Sequence, residues 1–277
     1  MRKILRVIVL GGLVACGSQP AAERPNDKSV DAAHELAAKV IEAHGGLDAW
    51  RAAPTISYEH ELMFVGADKP WISRETIENT EQRRLYQDII SHGGQLSWDG
   101  HDVWSVNWKL DNPPRIQPFL SLYSLITPFL TLDQMVTLEI TETARLPKDN
   151  TDYLTLTIRP LFDPQRPPTA GFYKMFIDPK TYQVKGVAYN VIFGHMLDLM
   201  ELPPEVTELG PMIHVFEEMT VVDGILVPTR YWTQGPDGGV AGTHLVRNWS
   251  FRKTFDNARM IRPANAIIDR SPHSRAQ

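Results

Sequence analysis

The sequence predicts a mainly-β chain of the α+β class, with one large antiparallel sheet of about 10–12 strands behind an N-terminal helix. Two observations predict it. Apolar spacing changes at Pro54 from a helical period to strict alternation. Short strand-like runs then follow one another, joined by hairpin signals and without the spacing of βαβ units.

The helix comes first. Ala33, Leu36, Ala37, Val40 and Ile41 fall on one face, Ser29 or Asp31 can cap the start, and Gly45-Gly46 supplies the left-handed stop. Leu47, Ala49 and Trp50 make a short second turn that Pro54 ends. In the run 55–64, Ile56, Tyr58, His60, Leu62 and Phe64 share a face opposite Ser57, Glu59 and Glu61. Further strand-like runs cover 71–79, 83–90, 95–98, 103–108, 135–143, 153–159, 172–177, 184–193, 213–222, 225–233 and 243–254. Asp99-Gly100 and Asp223-Gly224 are hairpin turn signals, and Asp178-Pro179 leads another turn. The segment 118–132, PFLSLYSLITPFLTL, interrupts the strands and is far more apolar than a surface connection. Pro128 splits it into two short helices or a broken one. A sheet this long curls, and its concave side has to be filled.

The amino end has its own signals. Arg2, Lys3 and Arg6 precede the apolar run Val7 to Val14, whose length of about 8 residues suits a signal peptide rather than a membrane span. The run ends in Leu13-Val14-Ala15-Cys16, which resembles the lipobox of bacterial lipoproteins. That resemblance implies cleavage after residue 15, a diacylglycerol on the Cys16 thiol, and anchorage of the chain on a membrane by acyl chains. Gly17 and Ser18 follow, with no Asp of the kind that retains enterobacterial lipoproteins in the inner membrane, which favours the outer membrane facing the periplasm. Residues 16–30 then form a lipidated, Pro- and Ser-containing linker reaching about 20 Å. The folded domain covers 31–269, and 270–277 is a disordered tail.

Composition excludes several classes. Cys16 is the only cysteine, so neither an intramolecular disulfide nor a cysteine-ligated metal site can form. Without residues 1–15 the chain holds 25 basic and 33 acidic residues, a net charge of −8, with no basic run for nucleic acid. His-Gly-Gly at His44–Gly46 and His92–Gly94 resembles a lipase oxyanion loop, but no Ser lies in a G-x-S-x-G elbow. The first copy reads as a helix C-cap and the second as a turn. H-E-x-x-H, P-loop and G-x-G-x-x-G motifs are absent, so no cofactor is implied. His60, on an apolar strand face, reads as a hydrogen-bonded core residue.

The runs WDGHDVW (Trp98–Trp104), FIDPKTYQVKGVAYN (Phe176–Asn190) and VVDGILVPTRY (Val221–Tyr231) resemble, in this order, three hairpins of the LolA/LolB-like lipoprotein-carrier superfamily. The opening AHELAAKVIEAHGGLDAW is similar to envelope lipoproteins of that kind. The resemblance implies a strongly curved antiparallel half-barrel, closed by short helices over its concave face, whose apolar cavity takes a lipid or an acylated protein. Leu161–Ala170 and Met196–Met212 are longer connections than the compact carriers have. On this reading Phe119, Leu122, Tyr123, Leu125, Ile126 and Phe129 form a lid. Trp104, Val106, Trp108, Tyr173 or Phe176, Tyr189 and Phe193 line the floor. Two other readings stay open: a structural or interaction lipoprotein whose core is filled, and a hydrolase.

Overall fold

Pro54 divides the chain as the periodicity predicts. The computed structural model describes residues 27–80, 82–91, 93–109, 113–116, 122–161 and 170–269. Helix α1 (Asp27–Ala43) holds Ser29 and Asp31 inside it rather than as caps, and buries Ala33, Leu36, Ala37, Val40 and Ile41. Gly45, at φ 113°, turns the chain into α2 (Gly46–Ala52). Residues 1–15, expected to be a signal peptide, Cys16, and residues 270–277, expected to be a tail, lie outside the described residues.

Thirteen strands follow: β1 (Thr55–Phe64), β2 (Trp71–Glu78), β3 (Leu85–Ile89), β4 (Gln95–Trp98), β5 (Val103–Val106), β6 (Val136–Ala144) and β7 (Tyr153–Pro160). After them come β8 (Tyr173–Ile177), β9 (Val184–Val191), β10 (Leu209–Val222), β11 (Ile225–Gln234), β12 (Val240–Ser250) and β13 (Ile267–Ile268). Two short helices interrupt them, α3 (Thr127–Leu130) and α4 (Gly194–Leu199). The first twelve strands overlap the twelve alternating runs; β13, two residues long, is too short for any periodicity to show.

All thirteen form one open sheet in the order β13-β5-β4-β3-β2-β1-β12-β11-β10-β9-β8-β7-β6. Each neighbouring pair is antiparallel. The order contains two hairpin meanders, β1–β5 and β6–β12, fused where β1 pairs with β12. β5 therefore ends near one edge of the sheet while β6 starts at the opposite edge. The connection between them has to cross the sheet, and it carries the apolar 118–132 run. Helices α1, α2 and α3 cover the same concave face, which holds the main core from Ile56 and Ile77 through Val187 to Trp249.

The turns confirm one Asp-Gly signal in full and modify the other. Asp223 (φ 52°) and Gly224 (φ 90°) join Val222 to Ile225 in a two-residue turn with both φ positive, the geometry that twists with the strands. Asp99-Gly100 belongs instead to a four-residue loop between paired Trp98 and Val103, where Asp99 Oδ1 accepts from the amides of His101 and Asp102. Asp178 Oδ1 likewise accepts from the amides of Lys180 and Thr181.

Helix α1 is tied to the sheet by its exit. The His44 carbonyl accepts from Leu226 N, and His44 Nδ1 lies 2.8 Å from the Val40 carbonyl. A Cβ on Gly45 would stand 2.1 Å from the Gly224 carbonyl oxygen, so the αL residue also lets the helix exit press against the hairpin. Gly45→Ala is expected to lower stability by about 2–4 kcal/mol through overlap and backbone strain. An unchanged thermal melt would show that this contact does not hold the helices on the sheet.

Candidate functional site

The concave face is assembled from cross-strand layers. Ile56, Ile77, Leu85, Trp98 and Val103 stand opposite one another from β1 to β5, all buried in the core. On the other meander Tyr173, Tyr189, Val187 and Val227 continue the face, and Phe193 joins them beyond β9. The crossing segment lies against this surface. Residues 122–125 are helical, the chain breaks at Ile126, and α3 begins with Thr127 and Pro128, so Pro128 splits the run as its ring dictates. Leu122, Leu125, Ile126 and Phe129 are all buried in the core, with Tyr123 packed at its margin. Phe129 stacks on Trp50 with centroids 4.1 Å apart. Arg83, itself buried, grips Asp133 at the segment's far end with two hydrogen bonds of 2.7 and 2.6 Å. Phe119 lies outside the described residues.

Of the expected floor, Trp108, Tyr189 and Phe193 belong to the concave face, Trp108 at the core's margin. Trp104, Val106 and Phe176 do not. Val103 is the residue of β5 that joins the core, so alternation turns Trp104 and Val106 to the convex side. There Trp104 stands beside the carboxy-terminal segment at Ala258, Arg259, Ile261 and Pro263. Val106 is level with Gln95, Asp88 and Arg74 in a polar surface cleft of about 510 Å³. Asn107, at φ 53°, reverses the parity and returns Trp108 to the core side. Of the two β8 candidates, Tyr173 belongs to the concave face with Met175 and Ile177, while Phe176 joins a second cluster with Leu146, Tyr153 and Ala188.

A polar band also lies on the concave face. His60 Nε2 is 2.9 Å from His244 Nδ1 and 3.2 Å from Tyr231 Oη. His244 Nε2 reaches Thr233 Oγ1 at 2.7 Å, which reaches His214 Nδ1 at 2.8 Å. Next to it, the buried Glu75 carboxylate accepts from Tyr58 Oη at 2.8 Å, Gln87 Nε2 at 2.8 Å and Ser73 Oγ at 3.1 Å. His60 is hydrogen-bonded in the core, as its strand position predicts. The band itself escaped the sequence reading. Its trace was there: His214 alternates with Met212 and Phe216, and His244 with Val246, putting imidazoles where a core side chain is due. Among the described residues, no group of three His, Cys, Asp or Glu side chains is arranged to hold a metal ion.

Burial keeps these imidazoles neutral. Desolvation lowers His60 from the usual 6.5 to about 4 and His44 to about 4. Desolvation, with the neighbouring His60, lowers His214 to about 3. Desolvation also holds His244 well below its usual value, with His60 and His214 adding to it. An unfolded chain titrating at 6.5 takes up these protons first, so stability is full above pH 6.5 and is lost as pH falls toward 4. Stability is expected to fall between pH 7 and 5, by about 2 kcal/mol for His60 alone, and the melting temperature with it. Replacement of His214 by Phe should flatten that slope. A wild-type melt that does not change over this range would mean the imidazoles reach water in the folded state.

No family model matches the chain, and no curated protein matches it in sequence. Solved structures do resemble it. A DUF1329 family protein from Desulfovibrio piger superposes with a TM-score of 0.51 at 12% identity, covering 83% of this chain and 96% of its own. A LolA superfamily protein from Nitrosomonas europaea gives a TM-score of 0.51 at 11% identity, covering 81% and 96%. A putative outer membrane lipoprotein-sorting protein domain from Vibrio parahaemolyticus gives 0.51 at 11%, covering 84% and 97%. With one open, helix-covered antiparallel sheet matched over nearly the full length of these proteins, the chain has the half-barrel fold of the LolA superfamily structures.

Proposed function

We propose that this chain is a lipid-anchored envelope protein that buries a lipid, an acylated protein or another apolar ligand between its concave face and the crossing segment. Residues 1–15 would be removed, Cys16 would carry the acyl chains, and the residues between it and α1, which begins at Asp27 rather than at the expected 31, would tether the domain to the outer membrane from the periplasmic side. Ligand binding is reversible burial, with no bond made or broken. The observation that carries the reading is the crossing itself. The described part of the chain's most apolar connection, from Leu122 to Leu130, is laid over the concave face, because β5 and β6 sit far apart in the sheet. The likeness to a LolA superfamily structure and to a lipoprotein-sorting domain supports the same reading.

A filled core is the second reading, and the Trp50–Phe129 stack is the observation that favours it. Burying one such ring contributes roughly 2–3 kcal/mol, which a moving segment would have to give up. The Arg83–Asp133 clamp separates the two. Replacing both partners, Arg83→Met with Asp133→Leu, avoids leaving one charge buried alone. If the segment is a lid, the double variant stays folded and takes up a fluorescent fatty acid several-fold faster than wild type. If the segment is core, neither protein takes up the probe.

The anchor has a separate test. Cys16→Ser is expected to move the protein from the membrane to the soluble fraction and to remove the acyl mass. A variant that still needs detergent for extraction would sink the anchoring proposal.

A further inference from the structure

An apolar cavity that holds only hydrocarbon has no use for buried imidazoles. Burying a polar side chain costs free energy unless it is hydrogen-bonded. Yet strands β9 to β12 and β1 bring six such side chains together: Tyr189, His214, Tyr231, Thr233, His244 and His60. The rings touch in sequence across the sheet, Tyr189 to His214 at 4.9 Å, His214 to Tyr231 at 4.9 Å, Tyr231 to His244 at 4.1 Å and His244 to His60 at 5.2 Å.

The hydrogen-bonded chain from His60 to His214 is satisfied along its length and open at its ends. Among the described residues, no hydrogen-bond partner reaches His60 Nδ1, His214 Nε2 or the Tyr189 hydroxyl, although their side chains are more than nine-tenths buried. None of the three is a fully enclosed atom without a partner, so each keeps open space in front of it that the hydrogen-bonding group of a ligand can fill. The aromatic line also leads to the crossing segment. Tyr189 lies 6.3 Å from Tyr173, and Tyr173 lies 6.0 Å from Tyr123 of that segment. A ligand entering beneath the segment would run along this line to the histidines.

We infer that this cluster is the head-group site of the concave face, and that it takes a neutral acyl ester or amide in preference to a fatty-acid anion. The inference rests on the carrier reading and deepens it. A neutral imidazole and a phenol offer one donor or acceptor each, which suits a carbonyl or hydroxyl and gives no counter-charge to a carboxylate. Glu75, one strand away on the same face, adds a carboxylate field that opposes a second anion. Burial of a neutral head then costs only its hydrogen bonds with water, which the open ends of the chain replace.

Displacement of a neutral apolar dye by monooleoylglycerol and by oleate at pH 7.5 tests this. Wild type should release the dye at a monooleoylglycerol concentration at least tenfold below that of oleate. In His60→Phe with His214→Phe, dye uptake should persist while the preference falls below threefold. Tyr189→Phe removes a single hydroxyl that holds no partner, so its melt should match wild type while its preference falls several-fold. It keeps the test valid if the double variant does not fold. Equal displacement by both lipids in wild type, or an intact preference in Tyr189→Phe and the double variant, overturns the inference and leaves the carrier reading standing. A wild-type protein that takes up no dye overturns both.

Discussion

Antiparallel pairing of β1 with β12, from Ser57 opposite Ser250 to Phe64 opposite Gly242, decides how the rest of the chain has to run. Either meander alone would be a small twisted sheet with two open edges. Joined at this seam they make thirteen strands, and a twisted sheet of that width curls. The same seam drives β5 and β6 toward opposite ends of the order, so the chain between them has to span the concave face. The apolar character of residues 118–132 answers that requirement. A polar connection would leave the core open to water, and one continuous helix is ruled out by Pro128. The carboxy-terminal segment answers the matching requirement on the convex side, where Arg259 reaches Asp88 at 2.8 Å and Phe255 packs on Tyr86.

The concave face then divides into two chemistries. Toward α1, α2 and α3 it is aliphatic and aromatic, and the Trp50–Phe129 stack and the Arg83–Asp133 clamp hold the crossing segment there. Toward β10, β12 and β1 it carries histidines kept neutral by burial. Packing alone does not call for such groups, because replacing both partners of a buried hydrogen bond by apolar groups of the same shape can be nearly neutral or stabilising. A face that orients an apolar molecule by its polar end needs both chemistries, adjacent and on one surface.

His44 shows how one residue can serve the fold where its motif hinted at chemistry. Its Nδ1–H donates to the Val40 carbonyl while Nε2 accepts from Val184 N at 3.4 Å, so the neutral ring joins α1 to β9. The following Gly45 permits the turn and the contact with the β10–β11 hairpin. The His-Gly-Gly there is a structural joint.

By itself the sequence determined the class of the fold, the place of twelve strands and the break at Pro128. Each of these follows from local chemistry: alternation, positive-φ turn residues and a missing amide. It also marked the burial of Leu122, Leu125, Ile126 and Phe129, since apolar density in a connection is visible without knowing its path. Which face each side chain takes was decided by tertiary structure. Trp104 and Val106 alternate as a strand should, but only the register with β4, β3 and β2 says that Val103 faces inward. Phe176 and Tyr173 were equivalent candidates until β9 packed beside them. The histidine band was out of reach for a similar reason. His60, His214 and His244 come from strands separated by up to 184 residues, and only the β1–β12 seam brings their rings into one hydrogen-bonded line.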